Sequence, residues 1–116
     1  MGNSKVQSDV IESKKIIKSL YELIVQRNDY KMEHSLHDIT DVLLQVEKTI
    51  DSSKYPERLI SKLVSYIYSM GPAHKIYFPK DQEKLIDNLG VIAQKSGNTG
   101  LYYASFDTKD DFFKGL

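Results

Sequence analysis

The chain has 116 residues, 41% hydrophobic and 28% charged, and its sixteen basic and sixteen acidic side chains cancel. This size and balance suit one soluble globular domain with a single modest core, not a disordered chain. The neutral total lacks the basic excess that marks a nucleic-acid binder, and the absence of cysteine rules out a disulfide framework or a Cys-based zinc site.

The N-terminal stretch MGNSKVQSDVIESKK has no apolar core of a secretory signal, and no apolar run approaches the roughly 18–20 residues needed to cross a bilayer. Met1-Gly2 is not followed by the Ser or Thr that N-myristoylation wants at position 6, where Val6 stands. The expectation is an unmodified cytoplasmic protein.

Four amphipathic segments follow in order. The first is predicted over 5–27, with Val6, Val10, Ile17, Leu20 and Ile24 on one stripe and Ile16 and Leu23 beside it; Asn28-Asp29 ends it. The second is predicted over 35–51, with Ser35 opening it three residues before Asp38 and Leu36, Ile39, Leu43, Val46 and Ile50 at 3-4-3-4 spacing. After the loop Asp51-Ser52-Ser53-Lys54, Pro56 fits the first turn of a third helix over 56–70. Leu59, Ile60, Leu63, Ile67 and Met70 form its apolar face, and Gly71-Pro72 is read as its stop. Pro79 opens the fourth, over 79–96, with Phe78, Leu85, Ile86, Leu89, Ile92 and Ala93 on one face and Gly97 as its cap. Short connections make chain neighbours antiparallel. The expected fold is all-α: an up-down four-helix bundle spanning 1–116 as one domain, with an irregular tail over 97–116.

The search for chemistry returns little. His34, His37 and Asp41 have metal-ligand spacing on a helix, but they fall opposite the Leu36/Leu43/Ile50 stripe, whereas bundle metal sites need ligands pointing inward. His74 stands alone in a connection and reads as a loop or capping residue. There is no Cys nucleophile and no G-x-S-x-G elbow, and Gly97-Asn98-Thr99-Gly100 follows a helix where a phosphate loop should lead into one. Neither an enzyme nor a cofactor is expected. Gln82 is the one polar residue placed near a core face, where it should hydrogen-bond a nearby backbone group in the loop or tail.

The tail poses the sharper question. KSGNTGLYYASFDTKDDFFKGL carries five of the chain's twelve aromatics, an unusual composition for a segment that only trails into solvent. Lys75, Ile76 and Phe78, then Gln82, Leu85, Ile86, Asn88, Leu89 and Ile92, then Gly100, Leu101, Tyr102 and Ala104 fall in a K-I-x-F, Q-x-x-L-I-x-N-L-x-x-I, G-L-Y-x-A order. This stretch, His74 to Phe113, resembles the C-terminal half of the immunity proteins for class IIa (pediocin-like) bacteriocins, the enterocin A immunity group above all. The third-helix segment from Leu59 to Tyr68 is also similar, whereas the first half agrees in helix plan more than in residues.

The resemblance implies an antiparallel four-helix bundle in the cytosol of a Gram-positive cell. It further implies a non-enzymatic protein that binds, from inside, the membrane permease of the mannose phosphotransferase system in complex with a class IIa bacteriocin. The C-terminal half would carry the bacteriocin specificity. On that basis Gly97 and Gly100 let the chain turn back, and Leu101 and Tyr102, with Gln82, dock the tail on the bundle. Tyr103, Phe106, Phe112 and Phe113 are candidates for partner recognition, since aromatics concentrate at binding hot spots. Lys75, Lys80, Lys84 and Lys95 join them and also suit peripheral contact with an anionic inner leaflet. The rival reading is a helical adaptor that binds a soluble protein.

Overall fold

A computed structural model describes the backbone of residues 3–95 and the side chains of 8–94. Four helices follow one another: α1 Asn3–Val25, α2 His34–Thr49, α3 Pro56–Ala73 and α4 Lys80–Lys95, with a 3-10 turn at Ile50–Ser52 after α2. No strand occurs among the described residues. Helix α1 packs against α2 and α4, and α3 packs against the same two. The diagonal pairs barely touch. This is the all-α bundle expected from the periodicity, with each helix beside its chain neighbours and α4 returning to close the ring against α1.

The stripes meet in one core. Ile16, Ile17, Leu20 and Ile24 of α1 are buried, as are Leu36, Ile39, Leu43, Val46 and Ile50, every member of the predicted second stripe. Leu59, Ile60, Leu63, Ile67 and Met70 from α3 and Ile86, Leu89, Ile92 and Ala93 from α4 complete it, and Val10, Phe78 and Leu85 are half-buried at its edge. Val6 lies outside the described side chains.

Helix α1 lies two residues earlier than expected at both ends and α2 gives way to the 3-10 turn at Ile50; three further helix ends differ from expectation, each with a local cause. Helix α2 begins at His34, so Ser35 lies buried inside the first turn instead of capping it; the capping position is Glu33, whose side chain makes no cap hydrogen bond. Helix α4 is bounded at Lys80: the Pro79 carbonyl accepts the Glu83 N–H at 2.9 Å, which places Pro79 just outside the helix, whereas Pro56 does occupy the first turn of α3.

The third difference is the largest. Helix α3 runs through Gly71 and Pro72 to Ala73. The reversal comes later, where the Ile76 N–H donates to the Gly71 carbonyl at 2.8 Å and the Lys75 N–H to the Pro72 carbonyl at 3.3 Å. That is the paired bonding of a Schellman cap, and its left-handed residue is Lys75, at φ 56°. Gly71 is not at the reversal: it lies buried against the Phe78 ring of the following loop, where even a Cβ would stand at 3.4 Å, an ordinary van der Waals contact.

Lysine pays a steric penalty in the left-handed region that glycine escapes, about 1–2 kcal/mol, against which glycine's looser unfolded chain offsets part. Lys75→Gly is therefore expected to stabilise the protein by about 1 kcal/mol, and Lys75→Val to destabilise it. Urea unfolding midpoints decide; a glycine variant no more stable than the parent would refute the account of the cap.

Along α3 burial extends around the helix, with Ser61, Lys62, Ser65 and Tyr66 as covered as the apolar residues. Burial lowers the pKa of the Lys62 ammonium. On the side facing α4 the Tyr68 hydroxyl donates to the Asp87 carboxylate. Burial first, and that carboxylate second, raise the phenol above its ordinary value of 10.0. Folding thus favours the protonated phenol. Its contribution is fully present below about pH 10 and is lost as pH climbs from there toward the folded value. The parent is expected to lose more stability than Tyr68→Phe between about pH 10 and 11.5; parallel urea midpoints over that window would remove the basis for the claim.

Candidate functional site

Short connections place two loops, 26–33 between α1 and α2 and 74–79 between α3 and α4, at one end of the bundle. One side chain ties them together. Arg27, just past the end of α1, donates from Nε to Asp29 Oδ1 at 2.9 Å and from Nη2 to Asp29 Oδ2 at 3.0 Å, a bidentate fork. Its remaining nitrogen, Nη1, reaches Gln82 Oε1 in the first turn of α4 at 2.7 Å. The guanidinium also stands 5.8 Å from the centre of the Phe78 ring. The Arg27 side chain is only 12% exposed. Its hydrogen bond to Asp29 is the main reason that carboxyl sits below its usual pKa.

Gln82 is thus partnered through Oε1 by a guanidinium, 55 residues away in sequence. It is 4% exposed, and its own N–H donates to Asp81 Oδ1 at 2.8 Å. The predicted placement near the core face is what the structure shows; the described partner is a side chain across the bundle, and the expected bonding to the tail lies outside the described residues.

The first loop is built on α2. Asp29's carbonyl accepts the N–H groups of Met32 and Glu33. The Tyr30 hydroxyl pairs with Thr40 Oγ1 at 2.9 Å, its ring lies 4.4 Å from that of His37, and its carbonyl accepts from His37 Nε2 at 2.6 Å. A carbonyl can only accept, so Nε2 carries the proton. His37 therefore holds a loop in place, while His34 and Asp41 stay exposed. Among the described residues no three His, Cys, Asp or Glu side chains are grouped to hold a metal. His74 occupies the capping position of α3, donating its N–H to the Met70 carbonyl at 3.1 Å.

The four lysines singled out from sequence are not one patch. Lys75 and Lys80 are exposed at the two-loop end and Lys84 is exposed about one turn along α4. Lys95 is at the far end of that helix, eleven residues or about 16 Å beyond Lys84, and its side chain lies outside the described residues. Gly97, Gly100, Leu101, Tyr102, Tyr103, Phe106, Phe112 and Phe113 also lie outside them.

Two residues absent from the sequence reading stand out here. Met32 is 84% exposed and Tyr77 74%, the highest values among the large apolar side chains described, and each crowns one of the two loops. Their positions give a faint signal at most: Met32 falls between charged residues, and Tyr77 is the unspecified position in the Lys75-Ile-Tyr-Phe78 run.

Comparison with known proteins now supplies what geometry alone does not. Residues 11–94 match the bacteriocin immunity protein family. The chain belongs to that family. It is 43% identical over 102 residues, 88% of either chain, to the probable mesentericin-Y105 immunity protein of Leuconostoc mesenteroides. It is 45% identical over 94 residues, 81% of this chain and 80% of the other, to the probable leucocin-A immunity protein of Leuconostoc gelidum. No solved structure matches it significantly. The match spans almost all of α1 to α4, so family membership rests on the whole bundle and not on the C-terminal motif alone. As a bacteriocin immunity protein the chain is a member of a protective family, not of an enzyme family, and no helix of the described residues is long and apolar enough to cross a membrane.

Proposed function

We propose that this protein guards its cell against a pediocin-like, pore-forming bacteriocin. It does so as one domain over 1–116, acting from the cytosol on the mannose phosphotransferase permease once the bacteriocin has engaged it. The observation that carries the reading is the near full-length similarity to the probable mesentericin-Y105 and leucocin-A immunity proteins. The bundle is consistent with action by contact: a rigid scaffold presents loops at one end, and binding the bacteriocin-occupied permease there holds the pore shut. Lys75, Lys80, Lys84 and Lys95, with the aromatics Tyr103, Phe106, Phe112 and Phe113 of the tail, are the residues assigned to partner recognition. Leu101, Tyr102, Gly97 and Gly100, with Gln82 on the bundle, are assigned to tail docking.

Expression in a Gram-positive strain sensitive to class IIa bacteriocins, followed by challenge with a panel that includes mesentericin Y105 and leucocin A, tests this. Survival against one or a few panel members, with undiminished killing by unrelated pore formers, is the expected result. Unchanged killing across the panel by a chain shown to be folded and abundant would overturn it.

A further inference from the structure

We propose that the C-terminal segment 96–116, which lies outside the described residues, crosses the outer face of α3, with its aromatics over Ser61, Lys62 and Ser65 and its aspartates toward Lys54 and Arg58. The inference deepens the proposed function by assigning the surface that holds the segment given to recognition. It is read without any bacteriocin.

A helix in a four-membered ring keeps an outer face in water. Lys15 and Lys18 of α1, Asp41 and Lys48 of α2, and Asp87 and Val91 of α4 are exposed in this way. Helix α3 is different, for every residue from Leu59 to Ile67 is buried. At 3.6 residues per turn, Ser61 and Ser65 project roughly 160° away from Leu63, and Lys62 about 100°. These three are nevertheless only 2%, 8% and 6% exposed. Helices α2 and α4 pack on the flanks of α3 and α1 lies across the ring, so none of the three covers its outer side. The cover is also local, because Arg58 before it and Tyr68 after it are exposed.

Position, length, charge and composition all favour one occupant. Helices α3 and α4 are antiparallel neighbours, so α4 ends at Lys95 level with the first turns of α3, beside the covered band. Ten residues of extended chain already span about 33 Å, against a helix diameter of about 10–12 Å. The other chain end, before Asn3, belongs to α1 across the ring.

Lys54, Arg58 and Lys62 recur every four residues, a cationic row along one side of α3 and the turn before it. The nearby acids look elsewhere: Asp51 is bonded to Lys14, and Glu57 falls on the flank of Val64, which faces Gly90 of α4. The segment brings Asp107, Asp110 and Asp111 against Lys109 and Lys114, together with five aromatics. Aromatic faces suit an ammonium that has lost its water, as Lys62 has. The buried Ser65 Oγ has no hydrogen-bond partner among the described residues, which leaves one for the cover to supply. A segment held in this way offers a partner only its outward side chains.

The chain has no cysteine, so one introduced cysteine carries a single spin label. A label at Arg58→Cys, beside the covered band, is expected to weaken sharply the amide NMR signals of residues 102–113. A label at Lys18→Cys, exposed on α1 across the ring, should leave them intact. The loss should persist when the labelled protein is diluted with unlabelled chain. Acylation gives a second reading: Lys62 should react several-fold more slowly than the exposed Lys48. Replacing Tyr103, Phe106, Phe112 and Phe113 together with alanine should speed Lys62 several-fold and leave Lys48 unchanged, with circular dichroism confirming the fold. Tail signals untouched by the Arg58→Cys label, equal loss from both labels, loss that vanishes on dilution because a second copy is the cover, or a Lys62 rate unmoved by the tail substitutions would each overturn the proposal. If the tail variant does not fold, the two labels decide. Absence of the contact with protection intact sinks this inference alone; the contact without protection sinks the proposed function alone.

Discussion

Replacing Arg27 with alanine is expected to cost the protein about 2–4 kcal/mol. Three losses combine. Gln82 keeps its burial but loses the donor to its Oε1, and an unsatisfied buried amide costs about 1–3 kcal/mol. The cation over the Phe78 ring contributes about 0.5–1 kcal/mol more, and the aliphatic stem of a largely buried arginine leaves a gap. At this chain length the melting temperature should fall by roughly 10 °C. A double-mutant cycle separates the terms: Gln82→Leu in the Arg27→Met background removes the stranded amide together with its partner and should recover part of the loss. Additive effects of the two substitutions would show that the 2.7 Å contact carries no coupling.

The second large effect tests the register of α2. Leu43 is fully buried and its neighbour Leu44 only half so. Leu43→Ala is expected to cost about 2–5 kcal/mol, a large share of a typical small domain's stability. Leu44→Ala should cost well under half as much. Chemical denaturation of the two variants side by side is the measurement, and equal losses would mean that the helix presents a different face to the core.

The Leu43 result was foreseeable from sequence and the Arg27 result was not, and the difference is physical. A stripe such as Leu36, Ile39, Leu43, Val46 and Ile50 is written in one segment, and an amphipathic helix has one low-energy way to hide it. Every residue of that stripe is buried. The Arg27–Gln82 bond joins groups on two helices, and nothing in either neighbourhood names the other. Arg27 reads as an ordinary charge near a helix end, and Gln82 as an isolated polar residue on an apolar face.

Misreading Gly71-Pro72 has a different cause. The propensity rule that a Gly-Pro pair ends a helix is sound for exposed segments. Here Met70 and Gly71 are buried, Phe78 lies against Gly71, and α3 continues through Pro72 until the Schellman bonds close over Lys75. Tertiary packing overrode a local signal. The loop tips Met32 and Tyr77 illustrate a third limit, because exposure depends on which loops end up together and is invisible to spacing. Family membership, by contrast, was legible from an ordered set of residues between His74 and Phe113, and the match over 11–94 extends it to the half of the chain where the residues had given little hint.

The packing of α4 against α1 carries a consequence for synthesis. Of the four seams in the ring, three join helices that leave the ribosome one after another; the fourth joins the first helix to the last. The Ile17, Leu20 and Ile24 flank has α2 to lean on early, but its α4 side stays open until the closing helix emerges. The 55 residues from Arg27 to Gln82 take roughly 3–10 s to make at ordinary translation rates. For that interval the α4 side of α1 has no finished partner on its own chain, and substitutions that make this flank stickier should lower the yield of folded protein more than they change its final stability.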